Sequence, residues 1–246
     1  MTTPYEKQYH IPASAVDCFD RLKPSQILDY MQEVAGDHSA RMGADRQALI
    51  QKGLFWAVIR HRVQITRLPG SGEDITVKTW PMPTTRTAYP RSTIAYDAQG
   101  NECFRAISLW VLMDRQTRAM VLPGKSGVTV EGLLTGTELA APGGILPKDM
   151  TNSDRRVVRF TDLDLNGHMN NCRYLDWIVD LLPGGFHKDR SVRGFTVCYL
   201  SEAKENEELD LQWELSDGPV LTVNALRSEE AASAGHSRVF SAQVQF

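Results

Sequence analysis

The sequence has few cysteines, and they form none of the patterns that bind metals or carry redox chemistry. The four cysteines, Cys18, Cys103, Cys172 and Cys198, include no C-x-x-C pair. Neither a zinc site nor a thioredoxin-like motif is therefore indicated. An even number permits two disulfides, but wide spacing without a secretion signal favours reduced thiols. We predict buried or partly buried free cysteines, no metal and no cofactor.

A basic excess and long hydrophobic runs are also missing. The formal net charge is −3, with 27 Lys and Arg against 30 Asp and Glu, so nucleic-acid binding is not supported as the main function. No apolar run reaches the roughly 18 residues that a membrane span requires. Residues 1–7 lack the apolar core of a signal peptide, which favours a cytoplasmic protein. A length of 246 residues allows one large domain or two of ordinary size.

Hydrophobic periodicity predicts one helix followed by several strands. From Ser25 to Met42, apolar residues recur at the three- and four-residue steps of one helical face. Extended stretches follow, with a hairpin signal at 98–101. The predicted strands are 54–66, 75–80, 91–96 and 104–113. This order indicates an α+β fold.

The same order recurs after a stretch rich in proline and glycine. Residues 121–153 contain breakers that end any long element. A second series of elements then follows: a strand at 157–160, a helix at about 170–182, and strands at 193–199, 208–214, 220–226 and 239–246. We therefore predict a first unit at 1–127, a linker at 128–152 and a second unit at 153–246.

The two units look like copies of one repeat. The matching pairs, ten residues apart in each half and offset by 144 residues, are Asp20 with Tyr30 and Asp164 with Tyr174. In this register the first copy has Leu22 and Pro24 where the second has Asn166 and His168. Only the second copy is then expected to support polar chemistry.

The polar segment 161–171 has two interpretations. Its Asn-Gly pair favours a turn, and Asn170 or Asn171 could cap the following helix. Alternatively, in an extended segment Asp164, Asn166 and His168 would point to the same side. A carboxylate or imidazole can take a proton from water. Backbone N–H groups at the start of the following helix would suit an oxyanion.

This segment resembles the active-site motif of a known enzyme family. Residues 164–171, Asp-Leu-Asn-Gly-His-Met-Asn-Asn, followed by Tyr-Leu-Asp-Trp at 174–177, are similar to that motif in acyl-acyl-carrier-protein (acyl-ACP) thioesterases, the plant plastid enzymes and their bacterial relatives. Residues 36–39, 56–60 and 106–114 resemble other signatures of the family. The resemblance implies a tandem (double) hotdog, an α+β fold in which each unit has a long helix wrapped by an antiparallel sheet.

The resemblance also implies a set of catalytic residues. It assigns roles to Asp164, Asn166 and His168, and the stretch 197–203 is similar to the strand that supplies the family's catalytic glutamate, here Glu202. Plant members commonly have a cysteine directly after that glutamate, whereas this chain has Ala203. The covalent route at that position is therefore removed, and water activated by Glu202 is the preferred mechanism. From the residues alone, Glu202 is one acid in an acidic run typical of a solvated surface.

Other residues leave alternatives open. Cys172 and Cys198 could serve as Cys-His nucleophiles, although core positions are favoured for both. Met31, Met42 and Trp56 are expected in the core, where some could line an acyl pocket of the first unit.

The implied function is hydrolysis of fatty acyl-ACP, with acyl carrier protein as the partner. Because carrier proteins are acidic, we expect a basic docking surface. Its candidates are Arg155, Arg156 and Arg159, with Arg86, Arg91 and Arg193 as further members. An acyl-CoA thioesterase of hotdog type is the alternative enzyme, and a non-catalytic acyl-binding regulator is a weaker one. The oligomeric state is open, with a homodimer as one option.

Overall fold

The computed structural model describes residues 3–146, 148, 150–227 and 237–246. The chain forms two compact units, Met1–Pro142 and Gly143–Phe246. Each unit contains helices and an antiparallel sheet, so the predicted α+β class is confirmed. Among the helices of the described ranges, none has the length and hydropathy needed to cross a bilayer.

The first unit is built on a helix and a sheet of antiparallel strands. Its elements are β1 (Tyr5–His10), α1 (Pro24–Arg41), α2 (Arg46–Gln51), β2 (Leu54–Ile65), β3 (Asp74–Pro81), β4 (Tyr89–Asp97), β5 (Glu102–Asp114) and β6 (Met120–Val121). Within the unit the strand order is β1-β3-β4-β5-β2, with β6 paired to β5. Short 3-10 helices lie at Ala13–Ala15 and Pro123–Lys125.

The α1 helix matches the helix predicted from the periodicity. Pro24 occupies the first turn, where its missing N–H and fixed φ favour helix initiation. Beyond the helix, Gly43 has a φ of 66°, a conformation that glycine adopts readily at helix ends. The helix contacts β3 and β1. Its buried residues are Ser25, Ile27, Leu28, Tyr30, Met31, Val34, Ala35 and His38. The predicted apolar face is thus the face that packs on the sheet.

The second unit repeats the sheet of the first, but its helix Arg173–Val179 has 7 residues, whereas the resemblance implied a long helix in each unit. Its elements are β7 (Asn152–Val157), α3 (Arg173–Val179), α4 (Gly184–Asp189), β8 (Gly194–Tyr199), β9 (Glu208–Leu215), β10 (Val220–Arg227) and β11 (Arg238–Gln245). Within the unit the strand order is β7-β9-β10-β11-β8. Taken in chain order, this is the same succession of strands as in the first unit. The predicted internal repeat is therefore confirmed.

Some predicted boundaries in the second unit are wrong. The helix begins at Arg173 rather than near Asn170, because the Asn170 side chain accepts the Cys172 N–H at 2.9 Å and the Asn170 carbonyl accepts the Arg173 N–H at 2.9 Å. The strand expected at 157–160 lies earlier, at β7, and a 3-10 helix occupies Phe160–Asp162. The sequence analysis also missed β1, α2 and α4.

The segment between the 3-10 helix Pro123–Lys125 and β7 has no helix or strand among its described residues. Residues 147 and 149, within the predicted linker, lie outside the described residues. Part of the segment is fastened by Glu138, which accepts a hydrogen bond from the Trp80 indole at 3.1 Å. Burial acts to raise the pKa of Glu138, but hydrogen bonds from Thr135 and Trp80 outweigh it and lower the pKa to about 2.

Candidate active site

The segment from Asp164 to His168 is a tight turn. The Asp164 N–H donates to the His168 carbonyl at 2.8 Å, and the Gly167 N–H donates to the Asp164 carbonyl at 3.0 Å. Gly167 has a φ of 74°, which glycine adopts at little cost. The alternative in which an extended segment points these side chains to one side is therefore wrong. The chain reverses direction at the Asn-Gly pair instead.

The Asp164 carboxylate organises this turn. Its Oδ1 accepts the backbone N–H of Asn166 at 2.7 Å and that of His168 at 3.3 Å. Its Oδ2 accepts a hydrogen bond from Nδ2 of Asn166 at 3.2 Å. One carboxylate thus holds both the backbone of the turn and the side-chain amide of Asn166.

Glu202 comes from the loop between β8 and β9. The Met169 N–H donates to the Ala203 carbonyl at 2.9 Å, and His168 forms an isolated antiparallel bridge with Lys204. These contacts bring the loop against the turn. Nε2 of His168 then lies 3.3 Å from Oε2 of Glu202, with side-chain exposures of 18% and 44%. The pair is ordered by its neighbours but remains open to solvent.

The structure brings all four predicted site residues together. Asp164 contacts Asn166 and His168, and His168 contacts Glu202. A carboxylate beside an imidazole can accept a proton from a water molecule placed between the enzyme and a carbonyl carbon. The arrangement is therefore suited to hydrolysis of an ester-like bond.

The first unit contains the same turn without the same chemistry. Oδ1 of Asp17 accepts the N–H groups of Phe19 at 2.9 Å and Arg21 at 3.1 Å, as Asp164 does in the second unit. The two aspartates are 147 residues apart. Phe19 and Arg21 therefore occupy the positions of Asn166 and His168. The register of 144, which paired Leu22 and Pro24 with them, is wrong, because the backbone hydrogen bonds and not residue identities define the copies.

The loop that carries Glu202 is repeated as well. The Leu22 N–H donates to the Pro69 carbonyl at 2.8 Å, the counterpart of the bond between Met169 and Ala203 at 2.9 Å. Leu68 consequently takes the place of Glu202 in the first unit. In the corrected register the first copy retains a charged pair, Asp17 and Arg21, so the expectation that it is apolar there is wrong. It nevertheless lacks the amide, the imidazole and the loop carboxylate of the second copy.

Four of the backbone N–H groups after His168 already have acceptors within the protein. Those of Met169, Asn170, Cys172 and Arg173 donate to Ala203 O, Asp162 O, Asn170 Oδ1 and Asn170 O respectively. These four groups are therefore not available to an oxyanion. For the N–H of Asn171 the expectation stays a prediction.

Sequence reasoning missed Arg227, which contacts the Glu202 loop. Its guanidinium donates to Oγ of Ser201 at 2.7 Å, to Oε2 of Glu207 at 3.3 Å and to the carbonyl oxygen of Glu202. Arg227 lies 25 residues after Glu202 and belongs to no motif, so no sequence signal distinguishes it from other arginines.

Comparison with protein families decides the classification. The model of the acyl-ACP thioesterase N-terminal domain matches residues 2–122, and the model of the C-terminal domain matches residues 147–242. The chain belongs to the acyl-ACP thioesterase family. The family suggested by the polar motif is thus confirmed.

Known members of this family are similar along most of the chain. A chloroplastic palmitoyl-acyl carrier protein thioesterase of Arabidopsis thaliana is 27% identical over 198 residues, covering 74% of this chain and 48% of the relative. A chloroplastic dodecanoyl-acyl-carrier-protein hydrolase of Cinnamomum camphora is 23% identical over 207 residues, covering 78% of this chain and 54% of the relative. The chain spans about half the length of the curated relatives it matches.

Solved structures of acyl-ACP thioesterases have the same fold. That of Bacteroides thetaiotaomicron has a TM-score of 0.87 at 23% identity, covering 99% of this chain and 97% of the other. The 12:0-ACP thioesterase of Umbellularia californica has a TM-score of 0.81 at 21% identity, covering 98% and 96%. The predicted tandem hotdog fold is confirmed.

In this acyl-ACP thioesterase family member, the four cysteines are free, as predicted, but the prediction that all are buried or partly buried is wrong for Cys18. Cys18 is exposed, and Cys103, Cys172 and Cys198 are buried. Across the described ranges, no group of three or more His, Cys, Asp or Glu residues could hold a metal ion.

One arginine expected on a basic docking surface does not lie at the surface. Arg91 is buried, 7% exposed, and its Nη1 bonds to Nδ1 of His38 at 3.1 Å inside the first unit. It therefore cannot contribute to a docking surface. Arg156 pairs with Asp154 at 2.7 Å, whereas Arg155 is largely exposed and lies 3.5 Å from a Glu208 oxygen. Arg155 is the stronger candidate of the two for contact with a partner.

A cavity of about 290 Å³ lies beside the end of α1 in the first unit. Its lining is mostly polar and includes Tyr5, His38, Arg41, Met42 and Glu131. Of the three residues considered for the acyl pocket, Met42 lines this cavity, Met31 is buried in the core and Trp56 packs on another apolar cluster. The acyl pocket of the first unit stays a prediction.

Proposed function

We propose that this protein hydrolyses the thioester of fatty acyl-ACP to a free fatty acid and the carrier protein. The single observation that carries the proposal is the 3.3 Å contact between Nε2 of His168 and Oε2 of Glu202. It is supported by the turn of Asp164 and Asn166 beside it and by the names of the relatives, which are acyl-ACP thioesterases and hydrolases.

Hydrolysis begins at a water molecule held by the Glu202 carboxylate. Glu202 takes one proton from the water while the water oxygen attacks the thioester carbonyl carbon. The carbonyl oxygen thereby becomes negatively charged. When the carbonyl re-forms, the carbon–sulfur bond breaks and the sulfur leaves with the bonding pair. The proton held by Glu202 passes to the leaving thiolate. The products are a carboxylic acid, which ionises, and the free thiol of the carrier.

His168 orients the base in this scheme. Its imidazole lies against the Glu202 carboxylate, so it fixes the oxygen that receives the proton. Held by the backbone bonds of the turn, it stays in place when the carboxylate becomes protonated.

Asn166 is the donor that we assign to the developing oxyanion. A primary amide has two N–H groups on its nitrogen, and Asp164 accepts one of them. The second is directed by the same contact. A preorganised donor of this kind commonly contributes roughly 100-fold or more to turnover.

A covalent mechanism finds less support. The residue after Glu202 is Ala203, which is fully buried and has no nucleophilic atom. Cys172 and Cys198 are buried, with exposures of 1% and 2%, so a substrate carbonyl does not reach their sulfur atoms without displacement of the core. Activated water is the simpler route.

Release of free fatty acid from a ladder of acyl-ACPs and matching acyl-CoAs tests the proposal. We expect kcat/KM to be higher for the ACP thioesters at every chain length, because an acidic carrier adds protein contacts to those of the thioester. Preference for the CoA series would favour an acyl-CoA thioesterase. Absence of hydrolysis with both series would favour an acyl-binding regulator and overturn the proposal. A homodimer and a cytoplasmic location stay predictions.

A further inference from the structure

The loop that carries Glu202 is clamped from one side by a single arginine. The Arg227 side chain is 11% exposed. Nη1 donates to Oγ of Ser201 at 2.7 Å, while Nη2 donates to the Glu202 carbonyl and to Oε2 of Glu207 at 3.3 Å. Three acceptors, one before Glu202, one on it and one after it, therefore converge on one guanidinium.

The residues that Arg227 contacts are themselves hydrogen-bonded to neighbouring backbone. The Ser201 N–H donates to the Val239 carbonyl at 3.1 Å, and the Ser201 hydroxyl donates to the Arg238 carbonyl at 3.1 Å. At the other end of the loop, the Val158 N–H donates to the Glu207 carbonyl at 2.9 Å. A planar guanidinium with fixed donor directions is suited to hold several such acceptors at once.

The first unit contains an equivalent clamp in which the arginine stands at a different position. Arg67 donates to Glu73 at 2.9 and 2.8 Å and to Asp97 at 3.2 Å. The Ile11 N–H donates to the Glu73 carbonyl at 2.9 Å, as Val158 does to Glu207, so the two glutamates are counterparts.

The other members of the two clamps also correspond. Arg67 donates its backbone N–H to the Cys103 carbonyl at 3.0 Å and so matches Ser201. Asp97 and Arg227 both end a strand, paired in register with Ile75 and Leu209 respectively. The cation thus stands in the loop of the first unit and on the strand of the second.

The different position of the arginine has a consequence for the site. In the first unit the clamped loop carries Leu68, and the guanidinium of Arg67 donates to the carboxylates of Glu73 and Asp97. In the second unit the arginine reaches the backbone of the proposed base itself. A Glu202 carboxylate that is 44% exposed would otherwise rely on a surface loop for its position. Precision of this kind is what a general base requires.

We propose that Arg227 is a positioning residue that holds the Glu202 carboxylate against His168. The inference rests on the proposed function, since it concerns the geometry of the proposed base. Arg227 acts through the loop and does not touch the substrate.

The test measures kcat and KM for an acyl-ACP in wild type, Arg227→Gln, Glu202→Gln and the double variant. We expect Arg227→Gln to lower kcat about tenfold or more with KM changed less than about twofold, because the loss concerns the transition state. In the Glu202→Gln background the same substitution should cause no further loss, because the residue acts through Glu202. Equal losses in both backgrounds, or no loss in either, would overturn the inference.

Arg67→Gln is the matched control. It opens the equivalent clamp in the unit that lacks the polar set, so Tm should fall while kcat stays at the wild-type level. An equal loss of kcat in Arg67→Gln would mean that opening either clamp disturbs the fold generally, and would overturn the specific role of Arg227. If Arg227→Gln fails to fold, Arg227→Lys replaces it in the test, because lysine keeps the charge but lacks the several fixed N–H donors of the guanidinium. Its kcat is then expected to lie between those of the wild type and Glu202→Gln. Wild-type kcat in Arg227→Lys would count against the inference.

A readout without turnover separates this inference from the proposed function. The imidazole NMR signals of His168 report its contact with Glu202 whether or not any thioester is cleaved. In Arg227→Gln they should move toward their positions in Glu202→Gln. Unchanged signals would overturn the positioning role, whereas a wild-type protein that releases no fatty acid would overturn the proposed function alone.

Discussion

Asp17 and Asp164 hold the same turn in the two units, 147 residues apart. Each accepts through Oδ1 the backbone N–H groups two and four residues ahead, at 2.9 and 3.1 Å in the first unit and 2.7 and 3.3 Å in the second. Matched substitutions in the two turns can therefore distinguish an effect on stability from an effect on catalysis.

Replacing each aspartate by alanine should destabilise both units but affect activity in one. Each change leaves two backbone N–H groups without their acceptor. The unfolding free energy should therefore fall by about 1–2 kcal/mol in each variant. We expect Asp164→Ala to lower kcat on acyl-ACP by roughly 100-fold, because it also releases the Asn166 amide. Asp17→Ala should keep near wild-type kcat when assayed well below its Tm. Similar kcat values for the two variants would contradict the assignment of the site to the second unit.

Gly167 should tolerate asparagine but not valine. Its φ of 74° is matched in the turn of the first unit by Asp20, which has a φ of 56°. A short polar residue is therefore compatible with this backbone. A Cβ at Gly167 would meet no atom within 4 Å, and the cost is therefore backbone strain. Thermal denaturation should give a Tm for Gly167→Asn close to that of the wild type. Gly167→Val should have a lower Tm, corresponding to a loss of about 1–3 kcal/mol of unfolding free energy. A stable Gly167→Val variant would argue against this turn.

Cys172→Ala and Cys198→Ala should retain most of the activity. Both sulfur atoms are buried, so their removal is expected to cost about 1 kcal/mol of stability through a small cavity and to leave kcat within about threefold. Steady-state assays of the two variants check this. Abolished turnover in a folded Cys172→Ala or Cys198→Ala protein would indicate a thiol nucleophile in place of activated water.

Acid should destabilise the first unit through its buried histidines. Burial, with the charges of Arg91 and Arg41, lowers the pKa of His38 from 6.5 to about 4, and burial lowers the pKa of His61 to about 3. Below pH 6.5 the unfolded chain therefore binds protons that the folded chain does not, and stability falls down to the folded pKa values. His38 should contribute on the order of 1–2 kcal/mol of this loss at pH 5.

His38→Gln isolates that contribution. The glutamine keeps an acceptor for Arg91, whose Nη1 bonds to the ring at 3.1 Å, but does not titrate. Chemical denaturation at pH 7 and pH 5 should show a smaller difference in unfolding free energy for the variant than for the wild type. An unchanged difference would mean that His38 is accessible to protons in the folded state.

The helix α1 and most strands followed from periodicity, whereas elements without an apolar pattern did not. In β1 the partly buried positions are Tyr5, Lys7 and Tyr9, and a lysine among them hides the alternation typical of a strand. Asn170 is one of the two residues expected to cap the second helix, and its side chain does accept the Cys172 N–H. The helix starts later than predicted because the two residues that follow Asn170 form a turn before Arg173.

The candidate site was predictable in its residues but not in its geometry. Glu202 lies 34 residues after His168, and only the family resemblance separated it from the acids nearby. The register of the repeat was misjudged because identical residues at 20 and 164 are not the structural counterparts; backbone hydrogen bonds define those. Arg227 could not be found at all, since its role depends on three acceptors that the fold brings together.

The most direct test of the central claim is kcat on acyl-ACP for Glu202→Gln, an isosteric change that removes the base and is expected to keep the fold. Loss of a general base from water activation predicts a fall of about 100-fold to 10,000-fold with Tm near that of the wild type. The kcat of His168→Ala should also be lower than that of the wild type, because Nε2 of His168 lies 3.3 Å from Oε2 of Glu202. A Glu202→Gln protein that hydrolyses acyl-ACP at the wild-type rate would contradict the mechanism.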